Sequence, residues 1–188
     1  MCCTIEDLIT TARRMAELGL VIGSFGNVSC RQDDRILITP TCLDYSRMEP
    51  ADLVTLDLAG KKLAGGREPS SEFRLHVAIY SARPDAQAIV HTHSAHALAL
   101  SLVATELPML TEEMEYGIGG NVPVAPFVPA GTQELADQAA DILKGIPSKA
   151  LILARHGVVG FGQSLNEALL ICQLVERNAK IYLLTQPR

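Results

Sequence analysis

The sequence has no tryptophan, and aromatic residues make up only 4% of its 188 residues. It has no block of lysine and arginine, and its net charge is −5. Proteins that read nucleic acid need a basic face and often stacking aromatics, so the composition argues against that class of partner. No apolar run reaches the roughly 18 residues that would read as a membrane-crossing helix. The opening MCCTIEDLITTARR is acidic and periodic, not basic and then apolar, so no signal peptide and a cytoplasmic location are expected. The five cysteines, Cys2, Cys3, Cys30, Cys42 and Cys172, are odd in number and form no C-x-x-C. Neither a disulfide framework nor a zinc–thiolate site is indicated, and reduced thiols are expected. Charged residues are also scarce, at 20% against 48% hydrophobic. The usual charged share is about 25%. So apolar a chain points to surface buried in a homo-oligomer.

Helical and strand patterns alternate along the chain. Thr4 to Leu18 carries apolar residues at helical spacing and stops at Gly19. GLVIGSFGNVSCR is glycine-rich, RILITP is a short strand, and ADLVTLDLAGKKLAGG is a strand and turn. EPSSEFRLHVAIYSARP reads as a helix opened by Pro69 and two serines and closed by Pro84. DAQAIVHTH is a strand and SAHALALSLVAT a helix. TEEMEYGIGGNVP is irregular, and VPVAPFVP is extended. GTQELADQAADILKG is a helix capped by Thr132. SKALILARHGVVGFG is two strands around a turn. SLNEALLICQLVERNAKIYLL is a long helix in which Ser164 and Glu167 form a capping box. This alternation predicts one mixed α/β domain over residues 1–188, with no repeat or linker.

The most informative stretch is IVHTHSAH. Side chains at i and i+2 of a strand share a face, so His91 and His93 project together. Two imidazoles at a strand end make half of a metal site, although two ordinary polar residues would give the same pattern. Catalytic zinc typically takes three protein ligands and keeps one position open. His156, in LILARHGVVGFG, is a third histidine at the end of an apolar strand, beside a glycine that permits close backbone approach. His76 and His96 fall within helices and read as structural. Ser70, Ser71 and Glu72 occupy a helix N-terminus, which either caps the helix or receives an anion. GSFGNVS and ITPTC are further donor-rich turns, without the lysine or glycine spacing of a nucleotide loop.

GNVS, LITPT, PSSE–RLH, IVHTH and ARHG, in this order and over nearly the whole chain, resemble the class II aldolases of the fuculose-phosphate aldolase and adducin-head type. The resemblance implies a three-layer αβα fold with a central antiparallel-type sheet flanked by helices. It implies a homotetramer with sites between subunits, and one zinc per chain held by His91, His93 and His156; manganese, iron or cobalt would suit the same ligands. Glu72 matches the catalytic acid/base, which can also sit on the metal. Gly26, Asn27, Thr41, Cys42, Ser70 and Ser71 match the positions that hold a substrate phosphate. The implied reaction is reversible cleavage of a ketose 1-phosphate to dihydroxyacetone phosphate and a short hydroxyaldehyde.

The chain departs from the family pattern in three places. Cys42 stands where such aldolases usually have glycine. The chain stops soon after its last helix, where many relatives continue into a tail that contributes a tyrosine. LTEEMEYGIGG replaces a stretch that supplies another tyrosine, and its Glu113 falls near the catalytic glutamate of the related methylthioribulose-phosphate dehydratases. Glu113 is therefore a possible second acid/base. The dehydratase, the ribulose-5-phosphate 4-epimerase and a non-catalytic adducin-like module are the alternative readings.

Overall fold

The computed structural model describes residues 3–186. Helix α1 (Ile5–Glu17) starts from a reciprocal cap: Asp7 N–H donates to the Thr4 hydroxyl, and Thr4 N–H donates to the Asp7 carboxylate. Gly19, at φ 68°, turns the chain away after it. Strands β1 (Asn27–Gln32), β2 (Arg35–Ile38), β3 (Val54–Asp57) and β4 (Lys62–Ala64) follow as an antiparallel meander. Then come α2 (Phe73–Ala82), β5 (Ala88–Thr92), α3 (Ala95–Leu100), β6 (Glu106–Leu107) and α4 (Glu112–Gly117). The chain finishes with β7 (Val122–Ala125), α5 (Gln133–Leu143), β8 (Ala150–Leu153), β9 (Gly157–Gly162) and α6 (Leu165–Thr185).

The strands form one sheet in the order β4-β3-β2-β1-β5-β9-β8-β7-β6. The sheet is mixed, which corrects the expectation of an antiparallel one: β7 and β8 are parallel. The reason is local. Helix α5 lies between these two strands in sequence, and a helical crossover returns the chain in the same direction.

Each face of the sheet carries its own apolar layer, because successive strand residues point to opposite sides. Val28, Cys30, Val90 and Val158 face α1 and α6, packing with Leu8, Met15, Ile171 and Val175. Ile36, Ile38, Ile89, Val159 and Phe161 face α2 and α5, packing with Leu75, Ile79, Leu135 and Leu143. Burying each such side chain contributes about 1.5–3 kcal/mol. The result is the expected three-layer αβα arrangement.

Three local expectations are corrected. TEEMEY is not irregular but forms the short helix α4, because the Thr111 hydroxyl caps it by accepting from Met114 N–H. At the start of α6, Ser164 does cap Glu167 N–H, but the Glu167 carboxylate accepts from Gln163 N–H and Lys149 and closes no capping box. Two thiols expected to be reduced are paired: Cys3 is disulfide-bonded to Cys30 of β1. Their 27-residue separation gives no spacing cue, but docking α1 on the sheet brings the Cα atoms to 6.4 Å, within disulfide range. Cys42 and Cys172 are free, and Cys2 lies outside the described residues. Among the described residues no helix is long and apolar enough to cross a membrane.

Candidate metal centre

β5 is the organising strand of the site. Its Ala88 and Val90 enter one apolar layer while Ile89 enters the other, so His91 points toward the α2 side. The strand ends at Thr92, and His93 is the first residue beyond it, with its N–H donated to Leu20 O. The shared face predicted for His91 and His93 therefore survives one residue past the ladder. His156 sits in the turn between β8 and β9, and β9 lies beside β5. Glu72 reaches the same place from the N-cap of α2.

Two glycines allow the elements to close this tightly. Gly157 follows His156, and a Cβ there would fall 2.0 Å from Thr92 O and 3.2 Å from the His91 ring. Gly26, at φ 75°, lies against His91 O, which an added Cβ would approach to 2.6 Å. Bare backbone is therefore required on both sides of the β5 end.

The ligand-type atoms of Glu72, His91, His93 and His156 all lie within 4.8 Å of one another. The Nε2 atoms of His91 and His156 are 3.3 Å apart, and those of His93 and His91 3.2 Å. Ligands about 2.0–2.1 Å from one tetrahedral ion are separated by about that much. His91 Nδ1 donates to Val158 O at 3.0 Å, which leaves its Nε2 lone pair directed into the cluster. A backbone carbonyl fixing the tautomer in this way is the usual support for a metal-bound imidazole. Glu72 places Oε2 3.0 Å from His91 Nε2 and Oε1 3.1 Å from His156 Nε2. Oε1 is buried and takes part in no hydrogen bond. Three converging imidazole nitrogens and an underused carboxylate oxygen fit a divalent cation well.

The local electrostatics point the same way. Burial pushes the Glu72 carboxyl upward, but the His91 and His156 imidazoles outweigh it and hold it well below the usual carboxylate range. His93 is pushed down to about 3 by burial and by His91 and His156, so its ring is neutral and able to bind a metal. Phe25 stacks on His93 with ring centroids 5.4 Å apart.

The candidate phosphate residues sit at the start of β1 and on the two segments around Pro40 and Pro69. Asn27 opens β1 opposite His91, and its amide Nδ2 donates to Glu72 Oε2 at 3.0 Å. A bridge between Pro40 and Pro69 draws the 39–41 and 68–70 segments together: Ser70 N–H donates to Thr39 O and Thr41 N–H to Glu68 O. Ser70 is buried and its hydroxyl accepts from Glu72 N–H, whereas Ser71 is exposed. Cys42 is exposed at φ 54°, a left-handed backbone that explains why glycine suits this position. Glu113 stands apart from the four-residue group, exposed on α4 with its carboxylate 3.9 Å from Arg177 of α6. His96 pairs with Glu176 instead of joining the cluster.

His76 reads as structural in the sequence, but it is fully buried directly behind the site, with Nε2 hydrogen-bonded to Asn27 Oδ1. The signal for it was present. Glu72, His76 and Tyr80 recur every four residues, so α2 presents them on one face.

Comparison with known proteins agrees with this geometry. The family profile of the class II aldolase and adducin N-terminal domain matches residues 6–183. The L-fuculose phosphate aldolase of Escherichia coli (strain K12) is 39% identical over 180 residues, covering 96% of this chain and 82% of that protein. A 5-deoxy-D-ribulose 1-phosphate aldolase of Bacillus thuringiensis is 34% identical over 183 residues, covering 96% of this chain and 84% of its own. The crystal structure of an L-fuculose-1-phosphate aldolase from Thermus thermophilus superposes with a TM-score of 0.86 at 27% identity. That match covers 98% of this chain and 97% of the other.

Proposed function

The chain belongs to the class II aldolase and adducin N-terminal domain family, and from that premise we propose that it is a zinc-dependent aldolase acting on a ketose 1-phosphate. The observation that carries the reading is the convergence of His91, His93, His156 and Glu72 within 4.8 Å. A non-catalytic adducin-like module would have no use for that group. His91, His93 and His156 hold the ion, with Glu72 beside it. When bound, the zinc supplies Lewis-acid stabilisation of the negative charge that develops next to the substrate carbonyl.

The chain's own residues do the rest. Gly26, Asn27, Thr41, Cys42, Ser70 and Ser71 receive the phosphate and fix the sugar's position, which supplies orientation. In cleavage the C4 hydroxyl gives its proton to the Glu72 carboxylate, the C3–C4 bond breaks, and its electron pair stays with the triose phosphate half. Glu72 passes that proton to C3, giving dihydroxyacetone phosphate and an aldehyde, and returns to the carboxylate; the reverse direction withdraws the proton from C3. Of its two oxygens, Oε2 is held by Asn27 and Oε1 is the one left for proton transfer.

Both fuculose 1-phosphate and 5-deoxyribulose 1-phosphate fit this scheme, since relatives named for each are similar over most of the chain. They differ in releasing a three-carbon or a two-carbon aldehyde. The enzyme acts as a cytoplasmic homotetramer in this reading. The test is an activity panel of ketose phosphates alongside metal analysis. We expect about one divalent ion per chain, lost in His91→Ala, His93→Ala and His156→Ala and kept in His96→Ala. Triose phosphate plus aldehyde is the expected product. A dehydrated ketone would assign the chain to the dehydratase branch instead.

A further inference from the structure

Behind Glu72 and Asn27 runs a chain of buried polar side chains, Ser29, His76 and Tyr80, that the reaction as described does not use. Asn27 and Ser29 of β1 alternate with Val28 and Cys30, so they face α2 while their neighbours face α1. His76 and Tyr80 meet them from α2. Ser29 Oγ lies 2.6 Å from His76 Nδ1 and 2.8 Å from Tyr80 Oη. His76 Nε2 bonds Asn27 Oδ1, and Asn27 Nδ2 bonds Glu72 Oε2 at 3.0 Å. All five residues are buried.

The polarity of this chain is fixed from one end. An ionised carboxylate can only accept, so the Asn27 amide turns its NH₂ toward Glu72. Its Oδ1 is then left to accept from His76, which must carry its proton on Nε2. Burial, with His91 nearby, pushes His76 down to about 3, so the ring is neutral and Nδ1 is bare. The Ser29 hydroxyl therefore donates to Nδ1 and accepts from Tyr80. Every member is satisfied in one direction only. Reversing the amide would set Oδ1 against the carboxylate, two acceptors face to face.

We propose that His76 is a positioning residue: locked in one tautomer by Ser29 and Tyr80, it holds the Asn27 amide in the orientation that grips Glu72 Oε2 and leaves Oε1 for the substrate. This rests on the reading of Glu72 as the acid/base. Outer-shell partners of this kind typically change activity by about 10–100-fold when removed. A core histidine whose role was only to fill space would not act through an amide two bonds away from the chemistry.

The experiment uses the full-length, metal-loaded protein with L-fuculose 1-phosphate and 5-deoxyribulose 1-phosphate as probes. His76→Leu removes the Nε2–H and fills similar space. It should lower kcat by about 10–100-fold with KM and metal content little changed. His76→Gln keeps an N–H for Asn27 and should recover most of the loss. In ¹⁵N-histidine-labelled wild type, the His76 ring should show a protonated Nε2 and a bare Nδ1. If His76→Leu does not fold, Tyr80→Phe, which removes only the far hydroxyl, should still lower kcat measurably at constant KM. A silent His76→Leu, a His76→Gln as impaired as His76→Leu, a silent Tyr80→Phe, or a proton on Nδ1 would each overturn the inference. Inactivity of the wild type on every ketose phosphate would instead overturn the aldolase reading itself.

Discussion

Glu72 and Ser71 are neighbours in sequence, yet their surroundings differ and the proposed reaction asks different things of them. Glu72 is buried, sits within 3.1 Å of two imidazoles and has one oxygen free of hydrogen bonds. Ser71 is exposed and has only the phosphate-side role proposed for it. A metal ion polarises a carbonyl but does not carry a proton to carbon. Glu72→Gln keeps the shape and removes the proton carrier, so substrate binding should persist while kcat falls by about 10²-fold or more. Ser71→Ala removes a contact equal in ground and transition states, so KM should rise more than kcat falls. Steady-state kinetics of the two variants separate these outcomes. Equal losses of kcat in both would mean that Ser71 touches the reacting atoms. Glu113→Gln is the control, because its carboxylate is exposed on α4, beside Arg177 and apart from the four-residue group. It should leave turnover within about twofold, on the scale of ordinary surface changes.

At the scale of elements, the site depends on how closely β5, β9 and the turn leading into β1 can pack. Gly157→Ala places a methyl group 2.0 Å from Thr92 O, between two paired strands. Neither backbone can yield without moving His91 or His156. The variant should lose about 1–3 kcal/mol of stability, as overpacked cores do, and should bind metal more weakly. Thermal melts with and without zinc measure both effects. An unchanged melting temperature and metal content would show that the strands can part there without cost. This packing also marks how far sequence reasoning reached. The histidines were legible because i and i+2 of a strand share a face, and His156 because it stands beside a glycine at an apolar strand's end. Most helices were legible from periodicity and caps: Thr132 caps α5 as expected, and Ser164 caps α6 although without the expected capping box. The parallel β7–β8 pair, the short α4 and the Cys3–Cys30 bond were not. The strand pair and the disulfide depend on which distant elements meet, which no local periodicity encodes, whereas α4 had a local signal, its Thr111 cap, that went unused. The His76 chain fell between the two. Its spacing on α2 was visible, but its meaning needed Asn27 and Ser29 from another strand.

For the whole molecule, the open question of physics is what covers its exposed apolar side chains. Ile22 and Phe25, at 82% and 62% exposure, flank the turn that leads into Gly26 and Asn27, beside the metal cluster. Leu102, Val103 and Tyr116 are also largely in solvent, and the charged fraction of 20% gives the surface little compensation. Such side chains placed around a site are more stable when a neighbouring copy buries them. Closed symmetry then repeats the contact at every subunit. The tetramer proposed for this enzyme would cover these surfaces and could bring a neighbour's residues to the site. Light scattering at micromolar concentration should give about four times the 20.2 kDa chain mass. Phe25→Glu should weaken that assembly by placing a charge in the contact, and should lower activity at low protein concentration more than at high. Metal content should persist through this change, because the three histidines belong to one chain. A wild-type protein that is monomeric and fully active at the same concentration would sink the shared-site idea. It would leave the exposed apolar residues around Phe25 as an entrance for the substrate instead of an interface.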